Sequence, residues 1–215
     1  MILAAGEGRR LAPLTETCPK PLLVYQGETL IERHLGALAR AGVSDAVINT
    51  FHLADQIESR LGNENAGVDI TWSREETLLE TGGGIRNALP LLGNDVFLLV
   101  NGDILTDFPF TSLLGPLPPD VDVHLVLVDT PANRDAGDFG LVGGRLTRER
   151  RDLVYSGIAV ISPGLFRDSP SGAFSVRDLL FRAAALGRAT GEHYHGEWSD
   201  VGTPDVVAAL GITVT

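Results

Sequence analysis

Lysine and cysteine are almost absent from this chain. Its 215 residues include one lysine, Lys20, and one cysteine, Cys18. A single cysteine cannot form an internal disulfide, and it cannot supply the several thiolates of a cysteine-rich zinc site. Nothing beside Cys18 in the sequence would activate its thiol as a nucleophile. Disulfide-stabilised folds, cysteine-rich zinc folds and cysteine-nucleophile enzymes are therefore not indicated.

Long apolar runs are also missing. No segment approaches the roughly 18 apolar residues that a membrane-spanning helix needs. Residues 1–6 are apolar, but no basic region precedes them and a glycine-rich loop follows at once, which does not fit a signal peptide. A hydrophobic content of 44% is enough for a packed core. These features predict a cytoplasmic protein without a membrane partner, organised as one domain over residues 1–215.

Positive charge is scarce as well. Lysine and arginine total 17 against 28 aspartates and glutamates, which gives a formal net charge of -11. Binding to a nucleic-acid backbone depends on lysine and arginine neutralising phosphates, so we expect no nucleic-acid partner. A smaller phosphate compound would have to be attracted locally, by a few fixed cations, backbone N–H groups and a metal ion.

Apolar, strand-like runs alternate with helical patterns along the chain. The runs cover residues 1–4, 46–50, 68–72, 96–100, 121–128 and 154–161, and helices are predicted over residues 30–41, 54–61, 83–92, 176–186 and 204–210. Such alternation implies a mainly parallel sheet covered on both faces. The strands of the second half follow one another closely, so some antiparallel pairing is expected there. The predicted fold is of the α/β class: a Rossmann-like, three-layer αβα arrangement around a mainly parallel, mixed sheet.

A glycine-rich loop with paired arginines follows the first strand. Gly6 and Gly8 would let backbone N–H groups approach phosphates, and ligands of open α/β sheets bind at this end of the strands. A dinucleotide-binding motif requires glycine where Leu11 stands and an acid where Asn49 ends the second strand. A Walker A motif requires Gly-Lys-Ser/Thr, whereas the only lysine lies between two prolines. Neither common nucleotide motif is present, yet the loop keeps a phosphate-binding character.

Lys20 is notable because all the other residues in the combined lysine and arginine count of 17 are arginines. Lysine is a compact point charge on a flexible stem, whereas arginine is a planar fork. Chance survival of one lysine is the plain alternative. A glycine loop, an arginine and then a lone lysine are together typical of phosphate handling.

Residues 80–85, Glu-Thr-Gly-Gly-Gly-Ile, form a second glycine cluster before a helix that we expect to begin near Gly83. Three adjacent glycines cost conformational entropy. The cluster is either a flexible turn or a place where a nucleobase or ribose lies against bare backbone.

Two aspartates are candidate metal ligands. Asp103 follows the strongest predicted strand, and Asp200 lies in the segment Trp-Ser-Asp-Val-Gly-Thr-Pro. Each could instead stabilise a turn or cap a helix. If they meet in space, they suit Mg²⁺, which takes one or two carboxylates together with phosphates and water. The five histidines show no metal-ligand spacing and are predicted to be structural, and no Gly-x-Ser-x-Gly motif is present.

Taken together, these motifs resemble the sugar-1-phosphate nucleotidyltransferases. The resemblance rests on residues 3–10, 13–15, 19–22, 102–103 and 200–204, which occur in the order of that family's motifs and reach to about residue 210. Residues 80–85, 138–142 and 155–158 are most similar to the branch that transfers a uridylyl group from UTP to N-acetylmuramate-1-phosphate in cell-wall recycling. The hexapeptide repeat of the bifunctional acetyltransferase branch is absent from the sequence.

The resemblance implies a nucleotide-diphospho-sugar transferase fold, Mg²⁺ as cofactor, and UTP and a sugar-1-phosphate as substrates. It implies catalytic roles for Arg10 and Lys20 and metal binding by Asp103 and Asp200. The nucleotide-binding residues it implies are Leu3, Ala4, Ala5, Gly6, Gly8, Glu80, Thr81, Gly82, Gly83 and Asn101. The sugar-binding residues it implies are Asp138, Tyr155, Ser156 and Gly157.

Several alternatives stay open at this point. The same chemistry could serve mannose-1-phosphate with GTP, or glucose-1-phosphate with a thymidine or uridine nucleotide. A non-catalytic nucleotide-sugar binding protein is a second class, and a nicotinamide dehydrogenase is disfavoured by Leu11 and Asn49. We expect a monomer or a small homo-oligomer. No residue is singled out by the sequence to bind the lactyl carboxylate of a muramate.

Overall fold

A ten-stranded mixed sheet forms the centre of the fold. The computed structural model of the protein describes residues 1–132 and 134–214. The strands are β1 (Ile2–Leu3), β2 (Val24–Tyr25), β3 (Glu28–Thr29), β4 (Asp45–Thr50), β5 (Glu64–Asn65), β6 (Val68–Arg74), β7 (Phe97–Asn101), β8 (Ile104–Thr106), β9 (Val123–Asp129), β10 (Gly140–Val142), β11 (Arg145–Thr147), β12 (Leu153–Ile161), β13 (Ala189–His193) and β14 (Trp198–Asp200). The large sheet has the order β10-β11-β13-β9-β12-β7-β1-β4-β6-β5, and β14 pairs separately with β8 and β2 with β3.

The first half of the chain supplies the strands at one end of the sheet order, and the second half supplies the strands at the other end. Strands β7, β1, β4 and β6 are parallel neighbours. Strand β12 is antiparallel to both β7 and β9, whereas β13 is parallel to β9. The sheet is therefore mixed. Most of its strands run in one direction, and its antiparallel pairing is concentrated in the second half of the chain, as the sequence predicts.

Six α-helices lie within the described residues, and the longer ones cover the sheet. The six are α1 (Leu14–Thr17), α2 (Leu30–Arg40), α3 (Ala54–Leu61), α4 (Glu80–Leu92), α5 (Val176–Ala185) and α6 (Pro204–Ala209). Thr29 caps α2 in a reciprocal capping box with Glu32, which satisfies two backbone N–H groups at the start of the helix. Ser175 caps α5, because its hydroxyl accepts the Arg177 N–H. None of the described helices combines the length and apolar character of a membrane span.

Alternating side chains of the central strands divide between two apolar layers. Ile2, Ile48 and Val100 pack in the layer that includes α2 and α3, while their strand neighbours Val47 and Leu99 pack in the layer that includes α4 and α5. Successive side chains of a strand point to opposite faces, so a strand covered on both sides is apolar throughout. This arrangement is the predicted three-layer αβα fold.

The start of α4 differs from the prediction. The helix begins at Glu80, almost one turn before Gly83, so the three glycines are helical and buried. Their missing side chains permit close packing: a Cβ on Gly82 would lie 2.3 Å from a Phe174 ring carbon, and one on Gly83 would lie 2.3 Å from the Gly172 carbonyl oxygen. The Gly82 and Gly83 N–H groups both donate to the Phe174 carbonyl oxygen. Tertiary contact thus overrides the low helix propensity of glycine.

Candidate active site

Two adjoining cavities lie where the parallel strands end. The smaller, of about 330 Å³, is lined by the loop after β1, the start of α4 and Lys20. The larger, of about 720 Å³, extends beneath β12 and β14. Four residues line both cavities: Arg10, Thr81, Asn101 and Asp103. A single elongated substrate complex could therefore occupy both spaces.

The glycine-rich loop has a fixed path into the smaller cavity. Gly8 has a φ of +64°, and a Cβ there would lie 2.8 Å from the Thr15 methyl group, so only glycine suits the position. The Thr15 hydroxyl donates to the Gly8 carbonyl oxygen at 3.0 Å. The Ala4 N–H donates to Asn49 Oδ1 at 3.0 Å. The loop is thus held at both ends, and Leu3, Ala4, Ala5, Gly6 and Gly8 all line the cavity.

A buried chain of hydrogen bonds joins this loop to α4. Asn49 Nδ2 donates to Glu75 Oε1 at 2.7 Å, and the Leu79 N–H donates to Glu75 Oε2 at 3.0 Å. Burial raises the pKa of Glu75, while these two hydrogen bonds oppose the rise. The chain fixes the start of α4, where Glu80 and Thr81 line the cavity. Sequence reasoning missed Glu75, although an acid directly after the third parallel strand was a usable signal.

Lys20 brings the two predicted metal ligands together. Its side chain is buried, with 8% exposed, and its Nζ lies 2.6 Å from Asp103 Oδ2 and 3.8 Å from Asp200 Oδ1. Arg10 Nη2 lies 3.8 Å from the other oxygen of Asp200. Two cations from the first 20 residues and two carboxylates from distant parts of the chain therefore form one cluster at the junction of the cavities.

The short β8–β14 pair explains why the aspartates meet. Asp200 pairs with Ile104 in this antiparallel ladder, and the Val201 N–H donates to the Asp103 carbonyl oxygen at 3.1 Å. Gly202 completes the turn: a Cβ there would lie 2.8 Å from an Arg10 guanidinium nitrogen. The sequence predicted neither strand of this pair.

The donor set of this cluster fits a hard divalent cation. Asp103 and Asp200 offer carboxylate oxygens from neighbouring strand ends that both reach the Lys20 ammonium, so the protein already brings these two anions to one point. Mg²⁺ prefers such oxygens and keeps further positions for phosphates and water. The two aspartates could hold this ion.

Two histidines lie close to an aspartate, although the sequence predicts only structural histidines without metal-ligand spacing. Asp129, His193 and His195 place one ligand atom each within 4.8 Å of one another, the one such group of three within the described residues. His195 and Asp129 line the larger cavity. Imidazole ligands suit zinc, copper or nickel better than magnesium, so this group is distinct in kind from the aspartate pair.

His34 is structural as predicted: it is buried in α2, and burial lowers its pKa to about 4.

Three of the predicted sugar-binding residues, Asp138, Tyr155 and Ser156, line the larger cavity, whereas Gly157 is not part of its lining. Asp138 is held by protein groups, since it accepts from Arg177 Nη2 at 2.5 Å and from the Tyr155 N–H at 3.2 Å. The Ser156 hydroxyl donates to the Val126 carbonyl oxygen at 2.8 Å. Gly157 has a φ of +89°, and a Cβ there would lie 2.8 Å from the Asn101 side chain.

Tyr155 and Trp198 are two of the aromatic residues that line the larger cavity. The Tyr155 hydroxyl is buried without a hydrogen-bond partner among the residues that the structure describes, and burial raises its pKa. Trp198 Nε1 donates to the Ser156 carbonyl oxygen at 2.8 Å. Sequence reasoning missed Trp198, and it also missed Arg134 and Arg177, which line the same cavity.

Comparison of the chain with known proteins finds a matching protein family and similar proteins. A protein-family model described as Nucleotidyl transferase matches residues 1–151. The N-acetylmuramate alpha-1-phosphate uridylyltransferase of Neisseria meningitidis serogroup B is 42% identical over 213 residues, which cover 94% of this chain and 92% of that protein. The protein of the same name from Caulobacter vibrioides is 36% identical over 226 residues, with 97% and 93% covered.

The solved structure of HddC from Yersinia pseudotuberculosis, in complex with GMP-PN, has a similar fold. Its TM-score is 0.79 at 23% identity, with 97% of this chain and 96% of that chain covered. At this identity the likeness concerns the fold alone, and it agrees with the αβα architecture.

Proposed function

Since this chain belongs to the nucleotidyl transferase family, we propose that it transfers a uridylyl group from UTP to N-acetylmuramate-1-phosphate. The products are UDP-N-acetylmuramate and pyrophosphate. The two relatives at 42% and 36% identity that carry this activity in their names support the choice of substrates. The observation that carries the reaction class is the cluster of Lys20, Asp103, Asp200 and Arg10 beside the glycine-rich loop.

The reaction needs no protein nucleophile. An oxygen of the sugar phosphate forms a bond to the α-phosphorus of UTP, and the bond from that phosphorus to the bridging oxygen breaks. The electron pair of the broken bond leaves with pyrophosphate. The attacking oxygen is already ionised at neutral pH, so no general base is required. Catalysis then consists of aligning two polyanions and stabilising the charge of an in-line transfer.

Lys20 and Arg10 are suited to that electrostatic work. The Lys20 ammonium is buried at the junction of the cavities, where a phosphoryl group in transfer would lie. Arg10 is more exposed and lines both spaces, so its guanidinium can reach phosphate oxygens on either side. When bound by Asp103 and Asp200, Mg²⁺ would supply further positive charge against the phosphate oxygens.

The remaining residues would hold the two substrates. The loop from Ala5 to Gly8 would offer backbone N–H groups to the triphosphate. Leu3, Ala4, Glu80, Thr81 and Asn101 line the space beside it. Gly82 and Gly83 would act indirectly, by letting α4 come close enough to Phe174 to place Glu80 and Thr81. The cavity wall of Asp138, Tyr155 and Ser156 would receive the sugar, and Gly157 would act indirectly, by its close packing against Asn101.

The proposal includes the setting of the enzyme. We place it in the cytoplasm, where nucleoside triphosphates are available, with a role in recycling cell-wall sugars. Residues 1–215 would act as one nucleotidyltransferase domain, as the continuous ten-stranded sheet supports. Monomers or small homo-oligomers would suffice for the reaction, and the net charge of -11 disfavours a nucleic-acid partner.

A substrate grid tests this function. UTP, GTP, CTP, dTTP and ATP are each combined with N-acetylmuramate-, N-acetylglucosamine-, mannose- and glucose-1-phosphate, and pyrophosphate release is measured with Mg²⁺. We expect the highest kcat/KM for UTP with N-acetylmuramate-1-phosphate. A preference for GTP with mannose-1-phosphate would overturn the substrates and keep the reaction class. Binding of nucleotide-sugars without pyrophosphate release in any combination would favour a non-catalytic protein.

A further inference from the structure

Two guanidinium groups share one carboxylate in the wall of the larger cavity. Arg177 Nη2 lies 2.5 Å from Asp138 Oδ1, and Arg134 Nη1 lies 3.8 Å from Asp138 Oδ2. Both arginines line the cavity. The Tyr155 N–H also donates to Asp138 Oδ2, which ties the group to β12. This cluster has one more positive than negative charge.

The excess charge is placed to meet a ligand. The Asp138 side chain is only 11% exposed, whereas those of Arg177 and Arg134 are 50% and 46% exposed. The guanidinium of Arg177 also stands over the Phe181 ring, at 5.1 Å from its centroid. Its one side-chain hydrogen bond within the described chain is to Asp138. A guanidinium has five N–H donors, so most of its donors stay free for an acceptor in the cavity.

The transferred phosphates do not account for these two cations. Lys20 and Arg10 lie at the junction of the cavities, beside Asp103 and Asp200. Within the described residues, neither of these two cations makes an ion pair with Asp138. Glucose-, mannose- and N-acetylglucosamine-1-phosphate carry no anion besides the phosphate. N-acetylmuramate-1-phosphate carries a second one, the carboxylate of its lactyl ether. Planar, bidentate recognition of a carboxylate is the typical use of arginine.

We propose that Arg177 and Arg134, oriented by Asp138, bind the lactyl carboxylate of N-acetylmuramate-1-phosphate and set the sugar specificity. This inference rests on the function proposed above. Asp138 is then a positioning residue, because its own oxygens are occupied by protein donors. The same arginines could instead serve a phosphate group, and a comparison of two sugars separates these uses.

The test compares two substrates that differ only in the lactyl ether. N-acetylmuramate-1-phosphate and N-acetylglucosamine-1-phosphate are each assayed with UTP in wild type, Arg177→Gln, Arg134→Gln and the double variant. Arg182→Gln is the matched control, because Arg182 is exposed on the same helix and lies outside the cavity. We expect the ratio of the two kcat/KM values to fall about 10- to 100-fold in Arg177→Gln and further in the double variant. Arg182→Gln should keep the wild-type ratio.

Each other outcome has a definite meaning. Equal losses with both sugars would assign the arginines to the shared phosphate and overturn the proposal, as would an unchanged ratio. Wild type that uses both sugars equally would overturn the subsite while nucleotidyl transfer stands. Wild type that releases pyrophosphate with neither sugar would overturn the proposed function itself. Melting temperatures of the variants exclude unfolding as a cause, and Arg134→Gln, in a loop, tests the proposal should Arg177→Gln fail to fold.

Discussion

At the scale of single residues, Lys20 shows why one ammonium persists in a chain of arginines. It stands in a short 3₁₀ turn between Pro19 and Pro21, and both prolines restrict the backbone that carries it. Its Nζ lies 2.6 Å from Asp103 Oδ2 inside a buried environment. We expect the larger, planar fork of an arginine to disturb this contact. The position therefore favours a compact point charge.

We predict that Lys20→Arg behaves almost like Lys20→Ala in catalysis. The arginine keeps the charge but displaces a phosphate oxygen by the order of 1 Å, and such misplacement can cost about 10²-fold in rate. The measurement is kcat/KM for pyrophosphate release in both variants, with melting temperatures as the folding control. Near-wild-type kcat/KM in Lys20→Arg would show that charge alone is required at this position.

The paired aspartates carry a second prediction. Asp103→Asn and Asp200→Asn should each lower kcat by about 10²-fold or more, because each removes an anionic ligand from the proposed Mg²⁺ site. The double variant should be little worse than the more damaged single variant, since residues that act as a unit are not additive.

Asp95→Asn is the control for these variants, because Asp95 is exposed and lies just before β7, at the end of that strand opposite to Asp103. Activities are measured across a Mg²⁺ titration. If either single variant reaches normal turnover at saturating Mg²⁺, that aspartate is not a metal ligand. If the losses of the single variants multiply in the double variant, the two do not share one ion.

At the scale of elements, α4 shows how a helix can require glycine. Its buried glycines lie against Phe174, Gly172 and Glu75 rather than against solvent. Glycine inside a helix is normally less favourable than alanine by about 1 kcal/mol. Here the close approach of the segment at residues 172–174 reverses that preference, and it also places Glu80 and Thr81 in the cavity wall.

We predict that Gly82→Ala lowers the free energy of unfolding by about 1–3 kcal/mol. The new Cβ would lie 2.3 Å from a Phe174 ring carbon and 2.8 Å from its backbone oxygen, so both α4 and the facing segment must shift. Gly36→Ala in α2 is the matched control, because its Cβ would meet only the ends of two flexible side chains, Arg40 at 3.4 Å and Glu28 at 4.0 Å. That control should be neutral or stabilising in urea unfolding. Equal effects of the two substitutions would contradict the packing explanation.

At the scale of the whole molecule, the two halves of the sheet divide the work. The parallel strands β1, β4 and β7 end at the glycine-rich loop, Asn49 and Asn101, which line the smaller cavity. The larger cavity lies under β9 and β12, whose antiparallel pairing carries an irregularity between Tyr155 and Ala159. Asp103 and Asp200 meet where the halves join. The transferred nucleotide and the attacking sugar phosphate would therefore be bound by different halves of one sheet.

Much of this architecture is readable from the chain. The helices over residues 30–40 and 54–61 and the central strands follow from local apolar periodicity, and the caps at Thr29 and Ser175 follow from side chains next to the helices they cap. The glycine-rich loop and Lys20 are recognisable because their chemistry depends on residues adjacent in sequence. Local patterns of this kind need no knowledge of distant contacts.

What only the tertiary structure decides is the set of contacts between distant segments. The β8–β14 pair joins Ile104 to Asp200, and its short strands have too few residues for a periodic signal. The helical glycines of α4 depend on Phe174, and the cluster of Arg134, Asp138 and Arg177 comes from one loop and a helix. Each is stabilised by partners far along the chain, so no local pattern encodes it. The kind of chemistry is thus indicated by short motifs, whereas the meeting of Asp103 and Asp200 and the position of Arg134 and Arg177 in the cavity wall arise from the fold.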